Sequence, residues 1–187
     1  MKVALFHWRA HRLALRLGDS FSLTSATRPR DLAKLIELAH SRKCVVELGT
    51  GTAWTAISLA LANRACKVVS YDPIERPERD FYIRLVGLSV RDRVELIVAP
   101  GADGGAGGDQ PVDMLYIDSS HACQETIREV RAWQPALADD ALLVFDDFTH
   151  PLYPGVREAV AQLGLGGQQH GSLFVHRAVP SAAERRG

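Results

Sequence analysis

Cysteine is scarce in this chain: Cys44, Cys66 and Cys123 are an odd number with no paired spacing. They provide neither a disulfide framework nor a zinc knuckle. Each sits beside apolar residues, so the expectation is buried free thiols and a cytoplasmic location. An excess of one charge is lacking too. The 22 basic and 22 acidic side chains cancel. A protein that neutralises many phosphates carries a basic excess or a basic stripe, so nucleic acid is not an expected partner. No apolar run reaches the ~18–20 residues that span a bilayer, so a membrane is not expected either. What is present is an apolar content of 47%, ordinary for a packed domain and too high for a disordered one. A length of 187 residues fits one domain with at most a small appendage.

Residues 1–17 carry Lys2, Arg9, Arg12 and Arg16, and no acid precedes Asp19. The arginines break the apolar core that a secretory signal needs; an organellar transit peptide fits the composition, but an amphipathic helix fits the pattern better. Leu5, Trp8, Arg12 and Leu15 fall near one stripe of such a helix. The expected organisation is an N-terminal amphipathic segment over 1–30, a main domain over 31–178 and a frayed tail over 179–187. The first segment would serve as a lid or as the contact of a homodimer.

Short apolar runs alternate with helical patterns along the main domain. The runs Cys44–Leu48, Lys67–Tyr71, Val94–Val98, Val112–Ile117 and Ala141–Phe145 read as buried strands. Helices are expected over Asp31–Ala39, Trp54–Ala62, Arg79–Leu88, 121–134 and Val156–Leu163. The stretch 101–110, with five glycines, reads as a flexible loop. Ser172–His176 pairs with 167–170 as a terminal hairpin. This alternation predicts an α/β fold: a single doubly wound, Rossmann-like sheet, mostly parallel, with an antiparallel C-terminal hairpin strand. Ligands of such sheets bind outside the carboxyl ends of the strands.

The first strand runs into Glu47-Leu-Gly49-Thr50-Gly51-Thr-Ala53 and then into a helix. Glycines let the backbone turn tightly and let a ligand approach the peptide units. A dinucleotide would place a pyrophosphate on such a turn. Glu47 would repel it, but could receive an ammonium group directly or through water. Asp72 ends the next strand, where a carboxylate can accept both hydroxyls of a ribose. A cationic amino-acid nucleoside without phosphates satisfies both carboxylates, and S-adenosylmethionine is that ligand. The plainer reading makes the glycines an ordinary turn and Asp72, before Pro73, a turn residue.

With these motifs in order, the chain resembles the class I S-adenosylmethionine-dependent methyltransferases over about residues 30–177. VVELGTGTA matches their E-x-G-x-G-x-G signature, with Ala53 in place of the last glycine. The resemblance implies that Thr55 helps hold the methionine carboxylate, and that Asp118 belongs to the donor-binding set. The adenine motif is poorer: Ala99-Pro100-Gly101-Ala102 lacks the acidic residue that many relatives carry there.

Three carboxylates converge at the next strand ends: Asp118 in LYIDSSH, and Asp146 and Asp147 in LVFDDFTH. Acids that end apolar strands are costly unless their charge is paired. A hard divalent ion such as Mg²⁺ prefers these oxygen ligands. Bound to it, a substrate hydroxyl loses its proton more easily. Alternatively, Asp118 caps a helix and Asp147 makes a turn, with no metal. Both motifs resemble the Mg²⁺-dependent O-methyltransferases of the catechol and caffeoyl-coenzyme A type and of the antibiotic-sugar type. The resemblance implies Asp118, Asp146 and Asp147 as metal ligands and a small hydroxylated molecule as acceptor. Ser120 stands where the sugar type carries Asp, and His121 where the catechol type carries Lys. An imidazole suits proton transfer near neutral pH, so His121 is the candidate base, with His150 as a substitute. Trp54 and Trp133 read as core; Arg28, Arg30, Arg76 and Arg79 read as solvated. Two other functions compete: a nicotinamide-dependent oxidoreductase, which Glu47 disfavours, and a non-catalytic nucleoside-binding protein.

Overall fold

The computed structural model describes residues 2–105 and 110–178. Three N-terminal helices, α1 (Lys2–Leu17), α2 (Ser20–Ser25) and α3 (Pro29–Ala39), precede an alternation of strands and helices. That alternation runs β1 (Cys44–Leu48), α4 (Trp54–Ala62), β2 (Lys67–Tyr71), α5 (Glu78–Ile83), α6 (Leu88–Arg91), β3 (Val94–Ile97), β4 (Val112–Ile117), α7 (Cys123–Trp133), β5 (Leu137–Phe145) and α8 (Pro154–Gln162). A hairpin of β6 (Gln168–His170) and β7 (Leu173–Arg177) closes the described chain. The seven strands form one sheet in the order β3-β2-β1-β4-β5-β7-β6. The first five are parallel, and β7 is antiparallel to both of its neighbours. The expected doubly wound sheet with an antiparallel C-terminal hairpin is the observed one.

Every residue of β1 is buried, as a central parallel strand covered on both faces must be. Its side chains alternate between two cores. Val45 joins Leu35, Leu59 and Tyr116 on one face, while Val46 and Leu48 join Leu115, Trp133 and Phe145 on the other. The register then builds the site. Leu48 pairs with Tyr71 and with Ile117, and Ile117 pairs with Phe145. The next residues of four neighbouring strands, Gly49, Asp72, Asp118 and Asp146, therefore emerge together at the carboxyl edge.

In α1 the face packed inward is Phe6, Ala10 and Ala14, and the Leu5–Trp8–Arg12–Leu15 stripe is exposed. Alanines let the helix approach α4 closely, and His7 Nε2 reaches Ser58 Oγ at 2.9 Å. Trp8 stays 56% exposed, with the Arg12 guanidinium 4.9 Å from its ring centre. The single helix expected over Arg79–Leu88 is two short ones, α5 and α6, because Gly87 between them is a poor helix former. Strand β5 begins at Leu137, four residues ahead of the expected Ala141, where Leu137 pairs with Val112. Part of the glycine loop is a 3₁₀ turn, Gly101–Gly104. The expected tail over 179–187 lies outside the described residues. Among those described, no helix is long and apolar enough to cross a membrane.

Candidate functional site

A cleft of about 770 Å³ opens along the carboxyl edge of the sheet. Its floor begins at the turn after β1. Gly49 sits at φ +103°, and its amide donates to Tyr71 O at 2.8 Å. Gly51 (φ +50°) and Ala53 (φ +70°) continue in the left-handed region and start α4. Thr50 Oγ1 points inward, 2.7 Å from Ser70 Oγ. Glu47 lies below it at 1% exposure, hydrogen-bonded to Ser70 Oγ. Burial pushes its carboxyl up to about 8, so it is mainly protonated at pH 7. The cleft is lined by Gly49, Thr50, Gly51 and Thr55, whereas Glu47 stands behind the turn.

Asp72 anchors the adjoining wall. Its Oδ2 accepts the Gly51 amide and pairs with Arg79 Nη2, both at 2.9 Å, and its Oδ1 accepts the Ile74 amide at 2.8 Å. Arg79 is only 5% exposed and also donates to Gly51 O and Ile74 O. The expectation of a solvated Arg79 is thus corrected: its charge is met by Asp72, and its Nε and Nη2 also donate to turn carbonyls. Arg76 is not free in solvent either, since its guanidinium lies 3.6 Å from the centre of the Phe21 ring. Phe21 belongs to the N-terminal segment, which forms a roof over the turn. Asp19 caps α2 through the Ser22 amide and accepts from Tyr82. Ser22 Oγ meets Thr52 Oγ1 at 2.7 Å, and Thr27 Oγ1 meets Thr55 Oγ1 at 2.8 Å. Arg28 and Arg30 are exposed as expected.

At the other end of the cleft, His121 Nε2 lies 3.3 Å from Asp118 Oδ1 and 3.4 Å from Asp147 Oδ2. His121 (φ +58°) and Asp147 (φ +51°) both hold the left-handed conformation that turns them to one point. Burial raises the Asp118 carboxyl to about 7, and the neighbouring Asp146 and Asp147 add to the rise. Asp147 is raised for the same two reasons, burial and Asp146. Burial lowers the His121 imidazole, but the Asp118 hydrogen bond and the surrounding carboxylates outweigh it, and the net shift is upward. Excess negative charge is met here first by the His121 imidazole, with His150 and Arg28 acting as well on Asp147. Asp118, His121 and Asp147 bring ligand atoms within 4.8 Å of one another, and two carboxylates with an imidazole are a fitting donor set for a divalent cation.

Asp146 faces another way. Its Oδ2 accepts from Tyr116 Oη at 2.6 Å, and its Oδ1 from Ser172 Oγ and the Asp147 amide, both at 2.7 Å. Ser172 also binds Asp31, the first-turn acid of α3, at 3.0 Å. Tyr116 announces itself by lying two residues before Asp118 on the same strand face, but Ser172 and Asp31 arrive from distant elements with no local signal. His150 is not one of the clustered ligand groups; it and His121 each stack on Tyr153, with ring centres 4.5 Å apart. Trp54 and Trp133 are buried.

A family model described as a methyltransferase domain matches residues 46–148. No curated protein matches the chain. Among solved structures, a methyltransferase from Geobacter sulfurreducens is 20% identical, with a TM-score of 0.71 over 93% of this chain and 89% of its own. The O-methyltransferase TomG from Streptomyces achromogenes, involved in tomaymycin synthesis and solved with S-adenosylmethionine, is 20% identical at a TM-score of 0.66, over 92% and 90%. An O-methyltransferase from Bacillus cereus, in complex with S-adenosylhomocysteine, is 15% identical at 0.67, over 91% and 90%. These likenesses are of fold.

Proposed function

Because this chain belongs to the methyltransferase-domain family, we propose that it transfers the methyl group of S-adenosylmethionine to a hydroxyl oxygen of a small molecule, assisted by a divalent cation. One observation carries the reading. A single cleft holds the glycine turn with Asp72 at one end and the Asp118–His121–Asp147 cluster at the other, so donor and acceptor would meet over the edge of β1 and β4. The ligands of TomG and of the Bacillus cereus enzyme support the donor's identity.

In this mechanism Gly49, Thr50, Gly51 and Thr55 bind the methionine end, and Glu47 holds the turn from behind through Ser70. Asp72 takes the ribose hydroxyls, and Arg79 keeps its carboxylate aimed. Asp118 closes the donor site beside Gly49. The acceptor oxygen attacks the methyl carbon, the carbon–sulfur bond breaks, and the electron pair leaves with the neutral sulfur of S-adenosylhomocysteine. Asp118 and Asp147, with Asp146 beside them, would hold a cation such as Mg²⁺, whose chemistry is to lower the pKa of the acceptor hydroxyl and fix its oxygen. The His121 ring, whose Nε2 faces Asp118 and Asp147, is the group placed to take the acceptor's proton. Stacking on Tyr153 fixes the plane of that ring. Outside the cleft, the exposed Leu5, Trp8 and Leu15 of α1 form the face on which we place a homodimer contact.

Calorimetric titration with S-adenosylhomocysteine, in Mg²⁺ and again in EDTA, tests the reading, with NAD⁺ as control. Micromolar binding of S-adenosylhomocysteine and none of NAD⁺ is expected. Absence of binding in both conditions would overturn it.

A further inference from the structure

The expected adenine motif lacks an acid, yet a carboxyl group reaches the cleft wall from another element. Glu129, on α7, is 2% exposed and lines the cleft. Its Oε2 accepts from Ser119 Oγ at 2.7 Å. Its Oε1 has no hydrogen-bond partner among the described residues. It lies against Gly101: a Cβ placed there would stand 2.8 Å from Glu129 Oε1 and 3.2 Å from the Leu48 side chain. Gly101 is itself held, since Trp133 Nε1 donates to its carbonyl at 2.8 Å. The missing side chain of Gly101 thus leaves room in the wall for a carboxyl oxygen that lacks a donor. An acceptor that lines the cleft without a partner in the protein leaves a hydrogen bond for a ligand to make.

Building on the donor assigned above, we propose that Glu129 is the specificity residue for the donor's base: Oε1 accepts a hydrogen from the exocyclic amino group of adenine, with Gly101 leaving room for the carboxyl and Ser119 fixing it. The acid absent from the loop after β3 is thereby supplied from α7. The site discriminates by hydrogen-bond polarity, because a base with a carbonyl oxygen in place of the amino group sets acceptor against acceptor.

The test titrates the full chain with S-adenosylhomocysteine and with S-inosylhomocysteine, which differs only in that amino group. The unaltered protein is expected to prefer the adenine compound at least about tenfold. Glu129→Gln, whose amide offers both a donor and an acceptor, is expected to bring the ratio towards one. Equal binding of the two compounds by the unaltered protein overturns the proposal with no variant needed. So does a ratio in Glu129→Gln that equals that of the unaltered protein. Binding of neither compound overturns the donor assignment itself, and so the two failures are distinguishable.

Discussion

Gly49 lies so close to Asp118 that a Cβ on it would overlap the Asp118 carbonyl oxygen. The donor turn and the acid cluster are thus joined at the backbone, and Gly49 is required twice, for its φ of +103° and for the missing side chain. Gly49→Ala is expected to cost more than about 3 kcal/mol: roughly 1–2 for the backbone conformation and the remainder for displacing a carbonyl that cannot rotate away. Gly18 has a φ of +66° with open space around it, so Gly18→Ala should cost only about 1 kcal/mol. Urea denaturation of the two variants separates them; equal midpoints would mean that the two ends of the cleft are not coupled in this way.

Asp72 and Arg79 form a buried pair whose loss leaves an uncompensated charge. Arg79→Ala is expected to lower stability by about 3 kcal/mol and to weaken S-adenosylhomocysteine binding more than tenfold, because it releases both Asp72 and Gly51. Arg84→Ala is the control. Its pair with Asp80 is long, at 3.7 Å, and solvated, and its loss should leave both quantities unchanged. Thermal melting with and without ligand reads both effects.

The contrast between Arg79 and Asp72 marks how much was legible in the sequence. Apolar runs that end in glycine or aspartate declare their strands, because a strand buried on both faces has no room for other residues, and the parallel register then lines up their final acids. Asp72, Asp118 and Asp146 are readable for that reason. Arg79 is not, because an arginine at the start of a helix is usually solvated and only the folded turn shows it two carbonyls and a carboxylate. Glu129 and Ser172 depend on contacts between elements far apart in the chain. In α1 Leu5, Trp8 and Leu15 face solvent while Phe6 and two alanines face the core, a division that apolar periodicity alone cannot assign when close helix packing selects small side chains.

Glu47 predicts an unusual pH dependence. Its carboxyl holds a proton to about pH 8 in the folded chain but only to about 4.3 when unfolded. Between these values the unfolded chain releases a proton that the folded chain retains, so this group lowers stability as pH rises from about 4.5 to 8. Glu47→Gln keeps a partner for Ser70 and removes the titration. It should match the parent near pH 4.5 and exceed it at pH 8 by up to a few kcal/mol, at about 1.4 kcal/mol per pKa unit. Melting temperatures of the two proteins across this range would show curves that diverge upward; parallel curves would mean that Glu47 is ionised in the fold.

The acid cluster divides into groups that are free to bind an ion and one that is already engaged. Asp147 meets only His121 across the cleft, and Asp118 adds to its His121 contact a single long hydrogen bond from Tyr116 Oη at 3.2 Å, whereas both oxygens of Asp146 are occupied by Tyr116, Ser172 and the Asp147 amide. Asp118→Asn and Asp147→Asn should therefore each weaken Mn²⁺ binding at least about tenfold, since each removes a charged oxygen donor. Asp146→Asn should weaken it less, because the amide can keep part of that network. His121→Ala should leave affinity for both ions little changed, since its Nε2 is kept for the proton and not for the ion. Calorimetry with the two ions reads all four variants. A loss confined to Asp146→Asn would mean that its carboxylate turns outward to the ion, giving up Tyr116 and Ser172, and that the cluster about His121 serves the proton alone.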